Sequence, residues 1–569
     1  MLTFKEIWKN RLAAALSALS GSAIRPEQVL AETPPQPEQG DIGFPLFAYA
    51  KIFRKSPAQI AQAVAAFLDT QEVEAAGPYI NIRLNRAEFA AAILAQSAGE
   101  TFFRPATLSG MRYMVEFSSP NTNKPLHLGH LRNDVLGESL SRILRAAGAE
   151  VRTVCIINDR GVHICKSMLA YKEHGQGRTP ESEHIKSDHF VGDFYVRFHK
   201  MAQEDAGAEA RAQALLRDWE KGEADTTALW RRMNDWAVSG LKETYRRTGI
   251  SFDQYYFESQ TYLKGKDEIL RGLEAGIFYR AEDGSVWADL SAEKLDQKAL
   301  LRKDGTSLYI TQDIGTAISR RHDWTFDRLV YVVGSEQQYH FKALFAILHK
   351  LGFDWAKNLY HLSYGMVNLP DGKMKSREGT VVDADDLLDS LTELAKQEIR
   401  AKNREEAVGN LEQTAEKVAL GALHYYLLQV SPAKDMLFDP SESLSFNGKT
   451  GPYLQYVGAR LSSMLQKAPH YSGSSLPSLL CGDAEWHLLK TVGMYPQALS
   501  DAADALDPSL MALYLYDLAK AFSRFYHECP VLTADDPNLG ASRLALAQAT
   551  LQVVKAGLHL ICVPFLEAM

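Results

Sequence analysis

Several features that define whole classes of protein are missing from this 569-residue chain. Its five cysteines (Cys155, Cys165, Cys481, Cys529 and Cys562) are scattered with no CxxC motif, which argues against a disulfide framework and a cysteine zinc site. The chain contains no run of 18 or more apolar residues, the length needed to span a membrane. Its first residues, "MLTFKEIWKNRLAAALSAL", lack the uninterrupted apolar core of a signal peptide. We therefore expect a cytoplasmic protein with no membrane contact.

The chain also lacks an excess of basic residues. Its 62 Lys and Arg are outnumbered by 70 Asp and Glu, which gives a formal net charge of −8 at neutral pH. No global positive field points to a nucleic-acid partner, but local basic patches can still bind phosphate. A chain of this length with 46% hydrophobic residues can bury several cores, so we expect about three or four structural units.

Residues 1–105 have the pattern of a small α+β module. The amphipathic N-terminal stretch is followed by Pro-rich "AETPPQPEQGDIGFP", helical "PAQIAQAVAAFL", strand-like "GPYINIRLN" and helical "RAEFAAAILAQ". Residues 406–569 have helical periodicity almost throughout, for example in "EKVALGALHYYLLQV", which predicts a helical bundle.

Residues 106–405 have the alternating pattern of an α/β domain. Strand-like "RYMVEFSSPN", helical "HLRNDVLGESLSRILRAAG" and strand-like "AEVRTVCIIND" form a unit whose crossover favours parallel pairing. "DRLVYVVGSEQQYHFKALFAILHKLG" repeats the pattern, and a charged helical stretch at about 172–295 predicts an insertion between them. We therefore expect a multidomain α/β protein: a Rossmann-like parallel-sheet catalytic domain with a helical insertion, a small N-terminal α+β module and a C-terminal helical bundle.

Two histidines, His127 and His130, stand three residues apart in "NKPLHLGHLRND", where a predicted strand has ended and a helix begins. A zinc site is disfavoured because the signature HExxH has four-residue spacing and a carboxylate. An ordinary capped helix start is a second alternative. The position favours phosphate binding, because a helix N-terminus at the carboxyl end of a parallel strand presents free N–H groups and Gly129 admits a ligand. Histidines there can donate hydrogen bonds to phosphate oxygens in a transition state.

A second basic segment, "NLPDGKMKSREGTVV" at residues 368–382, lies between a strand-like and a helix-like stretch. Alone it would be interpreted as a solvated hairpin. Together with a histidine site upstream in an α/β domain, it is typical of a mobile arm that closes on a triphosphate.

These two segments resemble the "HIGH" and "KMSKS" signatures of class I aminoacyl-tRNA synthetases. The chain is similar to the arginyl-tRNA synthetase family in particular, because "EFSSPNTNKPLHLGHLR", "LRKDGTSLYITQDIGTA", "YVVGSEQQYHF" and "GMVNLPDGKMKSREGTVV" follow in that family's order. The N-terminal "GDIGFPLFAYAK" with "GPYINIRLN", and the C-terminal "TGPYLQYVGARLSSML", extend the resemblance over nearly the whole chain.

The resemblance implies an arginine-tRNA ligase. Such an enzyme activates L-arginine with ATP to arginyl-adenylate and pyrophosphate, then transfers arginine to the 3′ end of its cognate tRNA(Arg). The protein need only position the reactants and stabilise charge. Mg²⁺ is expected to accompany ATP, with no protein-bound structural metal. The implied catalytic and ATP-binding residues are Lys124, His127, Gly129, His130, Lys373, Met374, Lys375 and Ser376.

The guanidinium of arginine is a planar fork of five donors, whose natural partner is a carboxylate. Asp313 and Glu258 match the family's positions for it, and Tyr309 lies four residues before Asp313, on the same side if that stretch is helical. Each acid seen alone would be interpreted as a surface charge. The residues matching those that hold the α-amino and carboxylate groups are Glu116, Ser118, Asn121 and Gln337.

The tRNA contacts implied by the resemblance lie at both ends of the chain. Tyr79 and Asn81 match an aromatic that stacks on a D-loop base and an amide that hydrogen-bonds it. The bundle would approach the anticodon stem and loop through Tyr453, Gln455, Tyr456 and Arg460. Ordinary strand or core residues are the alternative for each. A monomer is expected.

The chain departs from the family's pattern at two places. The loop has Ser376 where the second lysine of the signature usually stands, and Lys124, just before the histidines, is placed to replace the lost charge. Where the family usually has "HVGDWG", this chain has "INDRGVHICKS", so the roles of Asn158, Asp159 and His163 stay open.

Three other functions remain as alternatives. A class I synthetase for another amino acid is disfavoured by Asp313 and Glu258 if its substrate is apolar. A small-molecule nucleotidyltransferase could share the HxGH phosphate site, but it would not need the N-terminal module or the C-terminal helices. An inactive RNA-binding relative is disfavoured because both phosphate-binding segments are present.

Overall fold

The structure is a computed structural model that describes residues 2–262, 264–369, 382–468 and 473–569. The chain divides into two compact units. The first comprises residues 1–105, 460–501 and 514–556, and the second comprises residues 106–459, 502–513 and 557–569. Within the described ranges, none of the helices has the length and apolar character needed to cross a membrane.

The helices are numbered in chain order. They are α1 Leu2–Ser20, α2 Ala50–Phe53, α3 Pro57–Leu68, α4 Arg86–Ser97, α5 Glu100–Phe103, α6 Leu128–Ala146, α7 Val162–His174, α8 Pro180–Glu183, α9 Ser187–Glu204, α10 Ala208–Glu220, α11 Ala224–Thr248, α12 Glu258–Thr261, α13 Lys264–Glu274, α14 Tyr309–Asp323, α15 Gln338–Lys350, α16 Ala384–Ala401, α17 Glu405–Val408, α18 Leu411–Leu428, α19 Pro440–Ser443, α20 Gly451–Gln466, α21 Asp483–Gly493, α22 Tyr495–Ala505, α23 Ser509–Glu528 and α24 Pro537–Leu560.

The strands are numbered in the same way. They are β1 Ile42–Pro45, β2 Val73–Ala76, β3 Tyr79–Ile82, β4 Arg112–Glu116, β5 Glu150–Ile157, β6 Gln254–Phe257, β7 Tyr279–Arg280, β8 Val286–Ala288, β9 Lys298–Leu301, β10 Arg328–Gly334, β11 Leu359–Tyr364, β12 Val367–Asn368 and β13 Met436–Leu437.

The first unit contains a three-stranded antiparallel sheet in the order β1-β3-β2. Helix α3 starts where the sequence predicts, because Ser56 caps it with a hydrogen bond from the Gln59 N–H at 3.3 Å and Pro57 occupies the first turn. Helices of the C-terminal region belong to the same unit: the rings of Phe89 and Trp486 lie 5.0 Å apart, and Nζ of Lys490 lies 2.9 Å from Asp41.

The second unit is built on a five-stranded parallel sheet in the order β11-β10-β4-β5-β6. The chain runs outward from β4 through β5 to β6, then returns to the other side of β4 with β10 and β11. The carboxyl ends of β4 and β10 therefore flank a topological switch point, which is where open α/β sheets bind ligands. The Rossmann-like parallel sheet predicted from the sequence is confirmed.

Alternate strand residues pack on opposite faces of this sheet. Met114, Val154 and Leu329 belong to one core cluster with apolar residues of α14 and α15. Helix α6 lies against β4, β5 and β10, and it also contacts α16 and α18. A Cβ at Gly137 of α6 would lie 2.2 Å from the Phe117 ring, so this glycine permits the close approach of helix and sheet.

The insertion differs from its predicted extent. Helices α7 to α11 form its helical part, around a core that includes Phe190, Phe194 and Phe198. The predicted range 172–295, however, also contains β6, which pairs with β5 as the edge of the parallel sheet, and part of a separate antiparallel sheet in the order β7-β8-β9. These strands have two to four residues each, too few for period-2 alternation to distinguish them from helix.

Candidate active site

The two signature histidines form the start of α6. His127 is its N-cap residue, with an extended backbone (φ −135°, ψ 172°), and its Nδ1 accepts a hydrogen bond from the Gly129 N–H at 3.1 Å. Nδ1 of His130 accepts one from the His127 N–H at 3.3 Å, so the side chains cap the helix reciprocally. A Cβ at Gly129 would lie 3.0 Å from the His127 ring, so glycine lets that ring fold back over the turn.

Both imidazoles are neutral at physiological pH. Burial and the nearby charge of Lys124 lower the pKa of His127 to about 4. Burial, His127 and Lys124 lower the pKa of His130 well below its usual value. A neutral imidazole carries one N–H, and both Nδ1 atoms accept hydrogen bonds, so the proton of each ring lies on Nε2. Each ring therefore offers one N–H donor to a ligand.

The prediction of free backbone N–H groups at this helix start is wrong. The Leu128 N–H donates to the carbonyl oxygen of Val382 at 2.9 Å, and the His130 N–H donates to that of His127 at 2.8 Å. The Gly129 N–H is bound to His127, as described above. One acceptor comes from a residue 254 positions away and another from the histidine itself, neither of which helical periodicity reveals.

Lys124 is half-buried and lies near both histidines, since its charge contributes to the lowered pKa of each. Among the described residues, its ammonium group forms no ion pair. The predicted ATP-side residues Lys373, Met374, Lys375 and Ser376 lie outside the described residues.

The chain on both sides of residues 370–381 is held by α6 and its N-terminal turn. On the C-terminal side, the Ala384 N–H donates to the carbonyl oxygen of Leu126 at 3.0 Å, in a bridge next to the histidines. On the N-terminal side, the buried guanidinium of Arg132 on α6 donates to the carbonyl oxygens of Gly365 at 2.6 Å and Met366 at 3.0 Å. The histidine turn and both flanks of the basic segment therefore meet at one helix.

A set of carboxyl groups lies beyond the ends of the sheet strands. Glu258 follows β6 at the start of α12, and burial together with Asp159 and Asp313 raises its pKa to about 7, against the opposing charge of Arg160. Asp313 lies on α14, and its Oδ2 is 2.6 Å from Nε2 of His340. The charge of Asp313 also contributes to the raised pKa of Glu116, although burial is the main cause, so the three carboxyl groups are electrostatic neighbours.

Tyr309 begins α14, which confirms the helical spacing that relates it to Asp313. Its side chain is exposed and lines a groove of about 400 Å³ together with His340 and Trp287. Since His340 also binds Asp313, the groove adjoins the carboxylate set.

Two residues predicted to hold the substrate's α-amino and carboxylate groups already have partners inside the protein. Glu116 is buried and forms an ion pair with the fully buried guanidinium of Arg320. The Ser118 hydroxyl lies 2.6 Å from that of Tyr245. Both partners are more than 100 residues distant in sequence, which local patterns do not reveal. Asn121 and Gln337 are exposed, after β4 and β10 respectively.

Residues that the sequence left open hold the β4 loop in a strained conformation. Ser118 and Ser119 have positive φ angles of 72° and 52°, which cost about 1–3 kcal/mol each in a residue other than glycine. Asn158 supports them: its Nδ2 donates to the carbonyl oxygen of Ser119 at 3.0 Å, and its N–H donates to that of Pro120 at 2.9 Å. Asn158 is therefore a positioning residue.

Asp159 has a comparable role on the other side of the site. Its carboxylate accepts hydrogen bonds from the N–H of Ser259 at 2.9 Å and from the Ser259 hydroxyl at 2.6 Å, which fixes the helical turn that carries Glu258. His163 lies on α7, with Nδ1 3.4 Å from the Tyr195 hydroxyl.

One group of described side chains has the composition of a metal site: Asp188, His189 and Asp385. Nζ of Lys186 lies 2.9 Å from Asp188 and 2.8 Å from Asp385, so a protein cation already neutralises these carboxylates. The cluster is a structural ion-pair network that joins α9 to α16.

The predicted tRNA-binding residues differ in accessibility. Tyr79 is half-buried and packs edge-on against the exposed Phe47, with ring centroids 5.7 Å apart, whereas Asn81 is buried within the same strand. Gln455 is fully buried and its Nε2 donates to the carbonyl oxygens of Lys417 and Pro564, at 2.9 and 2.8 Å. Its prediction as an RNA contact is wrong, because this side chain joins elements of the core.

The remaining predicted RNA contacts are half-buried and lie on α20: Tyr453, Tyr456 and Arg460. The guanidinium of Arg460 lies 4.6 Å from the centroid of the Tyr526 ring.

Three family models match the chain. "tRNA synthetases class I (R), catalytic domain" matches residues 92–439, "DALR anticodon binding domain" matches residues 454–569, and "Arginyl tRNA synthetase N terminal domain" matches residues 6–84.

Individual proteins agree with these models. The chain is 56% identical to a curated arginine–tRNA ligase of Treponema denticola over 100% of both chains, and 54% identical to that of Treponema pallidum over 99% of both. Its fold matches the solved arginyl-tRNA synthetase of Thermus thermophilus with a TM-score of 0.83 and 28% identity, over 99% of this chain and 100% of the other. The chain therefore belongs to the arginyl-tRNA synthetase family of class I aminoacyl-tRNA synthetases.

Proposed function

We propose that this protein activates L-arginine with ATP and transfers it to the 3′ end of tRNA(Arg). The observation that carries the proposal is that one parallel-sheet unit holds both the histidine turn that follows β4 and the neighbouring carboxyl groups of Glu258, after β6, and Asp313, on α14. The similarity of the whole chain to curated arginine–tRNA ligases supports the same conclusion.

The histidines would bind the phosphates of ATP. Arginine activation is an in-line attack of its carboxylate on the α-phosphate, with pyrophosphate as the leaving group, so negative charge redistributes over phosphate oxygens. The Nε2–H donors of His127 and His130 are neutral and already oriented by the backbone, so they stabilise that charge without reorganising. Lys124 would add a positive charge beside them, and Mg²⁺ would enter with ATP as part of the substrate. The shares of Lys373 and Lys375 remain proposals.

The carboxylates would select arginine. An ionised Glu258 and Asp313 can each accept N–H bonds from the guanidinium, whereas an apolar side chain would leave the buried Glu258 without a cationic ligand. Arginine binding favours the ionised form of Glu258. The affinity of the protein for arginine should therefore decrease as pH falls below the Glu258 pKa of about 7. Tyr309 would cover the guanidinium from the groove side. Asn121 and Gln337 are the accessible candidates for binding the α-amino and carboxylate groups of the substrate arginine.

The tRNA assignments are also proposals. Tyr79 beside exposed Phe47 is suited to stacking on an unpaired base. Tyr453, Tyr456 and Arg460 would face the anticodon arm. The division at residues 1–105, 106–405 and 406–569, the cytoplasmic location and the monomeric state remain predictions; helix α18, which follows the second border, packs on α6 and α16 of the sheet unit.

Aminoacylation of total tRNA with single labelled amino acids tests the function. We expect incorporation of arginine alone, and we expect Asp313→Asn to raise the KM for arginine roughly 10- to 100-fold with a smaller effect on kcat, because it removes a charge-assisted hydrogen bond. Asp389→Asn, at an exposed carboxylate on α16, serves as the matched control and should leave both constants unchanged. Absence of arginine incorporation by the wild-type protein would overturn the proposal.

A further inference from the structure

Arg160, in the loop between β5 and α7, places a second guanidinium next to the carboxylate set. Its side chain is only 12% exposed. The guanidinium carbon lies 4.0 Å from the centroid of the Tyr262 ring and 5.7 Å from that of Trp219, and NH2 donates to Glu220 at 2.6 Å. Stacking on aromatic faces and an ion pair compensate a cation that is largely removed from water.

A single amide connects this guanidinium to Glu258. Gln312 is buried on α14, next to Asp313. In the amide orientation that satisfies both neighbours, its Nε2 donates to Glu258 Oε1 at 2.9 Å and its Oε1 accepts from Arg160 NH1 at 3.2 Å. The chain of hydrogen bonds from guanidinium through amide to carboxylate is cooperative, because each bond polarises the next.

The charges around Glu258 make this connection consequential. Burial raises the pKa of Glu258 most, and the carboxylates of Asp159 and Asp313 raise it further, while Arg160 is the cation that lowers it. Removing Arg160 would leave a buried carboxyl among negative neighbours and increase its tendency to hold a proton. A protonated Glu258 loses the charge-assisted bond to a cationic ligand.

We propose that Arg160 is a positioning residue for arginine recognition: acting through Gln312, it fixes one oxygen of Glu258 and favours the ionised form of this carboxylate, so that the other oxygen receives the guanidinium of the substrate. The inference rests on the proposed function, in which Glu258 binds that guanidinium. It also gives the helical insertion a part in specificity, because Glu220 closes α10 and Trp219 lies beside it.

The test is calorimetric binding of L-arginine to the full-length protein at pH 8 and pH 6. Arg160→Met should weaken arginine binding roughly threefold at pH 8 and about tenfold at pH 6. Without Arg160 the carboxyl group of Glu258 holds its proton more strongly, so at pH 6 the variant loses a larger share of its ionised form, relative to the wild type, than at pH 8. Gln312→Met should act in the same direction, and the double variant should bind arginine no more weakly than the weaker-binding of the two single variants, since both changes break the same connection.

Two further variants separate charge from geometry. Arg160→Lys keeps the charge but cannot hold Glu220 and Gln312 with one planar fork, so its binding should be weaker by a constant factor with the wild-type pH dependence. Arg211→Met removes an ion-paired arginine of the same insertion that contacts Asp205 and Glu173, and it should bind arginine as the wild type does.

Two results would overturn the inference. One is an Arg160→Met protein whose arginine affinity and pH dependence equal those of the wild type while Asp313→Asn has lost affinity. The other is an equal loss of affinity at both pH values that is accompanied by a lowered melting temperature, because this indicates general damage to the fold. Failure of the proposed function is distinguishable from both, since the wild-type protein would then bind no arginine at either pH.

Discussion

His127 and His130 each use Nδ1 to accept a backbone N–H, which leaves the protonated Nε2 as the group that can reach a ligand. Burial and Lys124 hold the pKa of both rings below their usual value. At the scale of single residues, the site therefore offers two neutral donors for phosphate and a buried carboxyl, Glu258, whose pKa is raised to about 7. The charge state of the acid rather than of the histidines should govern the pH dependence near neutrality.

Replacement of His130 by Ala should lower kcat for arginine activation roughly 10²- to 10³-fold with little change in the KM for ATP, because the lost donor acts mainly in the transition state. At saturating arginine the wild-type rate should not change through histidine protonation between pH 6 and 8, since the lowered pKa keeps both rings neutral there. Steady-state kinetics of arginine-dependent exchange between pyrophosphate and ATP, with tRNA present, measures both. His322→Ala, at a side chain that is 91% exposed, is the control. A rate that rises steadily toward pH 6 would indicate a protonated imidazole and contradict the account.

Sequence patterns located these residues but not their partners. The spacing of His127 and His130 predicted their place at a helix start, and the helical spacing of Tyr309 and Asp313 is confirmed. The pairing of Glu116 with Arg320 could not be predicted, because it depends on how β4 and α14 meet in space. The same holds for Gln455, whose burial is set by contacts with α18 and the C-terminal segment.

At the scale of elements, α6 organises the nucleotide side of the site. Its first turn pairs with the segment that enters α16, and one turn later the fully buried Arg132 donates to carbonyl oxygens on two other segments. Those acceptors are Gly365, Met366, Pro432 and Lys434, at 2.6, 3.0, 3.2 and 2.6 Å. The histidines and the chain that leads into the basic segment are therefore fixed by the same rigid helix.

Arg132→Met should destabilise the protein by about 3–5 kcal/mol, because it leaves buried carbonyl oxygens without their donor. It should also raise the KM for ATP, since the chain leading into the basic segment loses its support. Denaturant unfolding and exchange kinetics measure the two effects. Arg145→Met, at an exposed arginine on the same helix, should change the free energy of unfolding by no more than about 1 kcal/mol and should leave the KM for ATP unchanged. An Arg132→Met protein with unchanged stability and KM would refute the proposed support.

The long elements were predictable and the short ones were not. The strand, helix, strand unit formed by β4, α6 and β5 follows from hydrophobic runs and helical periodicity, and it is confirmed. Strand β6 consists of four residues, Gln254–Phe257, and takes its identity from pairing with β5. A strand of this length has too little pattern of its own, so tertiary pairing decides it.

At the scale of the whole molecule, the strand order places both halves of the chemistry in one unit. The switch point between β4 and β10 collects the loops that carry Lys124, the histidine turn and Gln337, while α12, directly after β6, and α14 supply Glu258 and Asp313. The sequence predicted the parallel sheet, but it did not reveal that residues 460–501 and 514–556 belong with the N-terminal module, because that association depends on contacts such as Phe89 with Trp486.

A crystal structure of the full-length protein with a non-hydrolysable arginyl-adenylate analogue tests the central claim most directly. We expect the phosphate mimic within about 3 Å of Nε2 of His127 and His130, and the guanidinium within about 3 Å of the carboxylates of Glu258 and Asp313. An analogue bound with its phosphate mimic away from the histidine turn, or with its guanidinium away from both carboxylates, would contradict it.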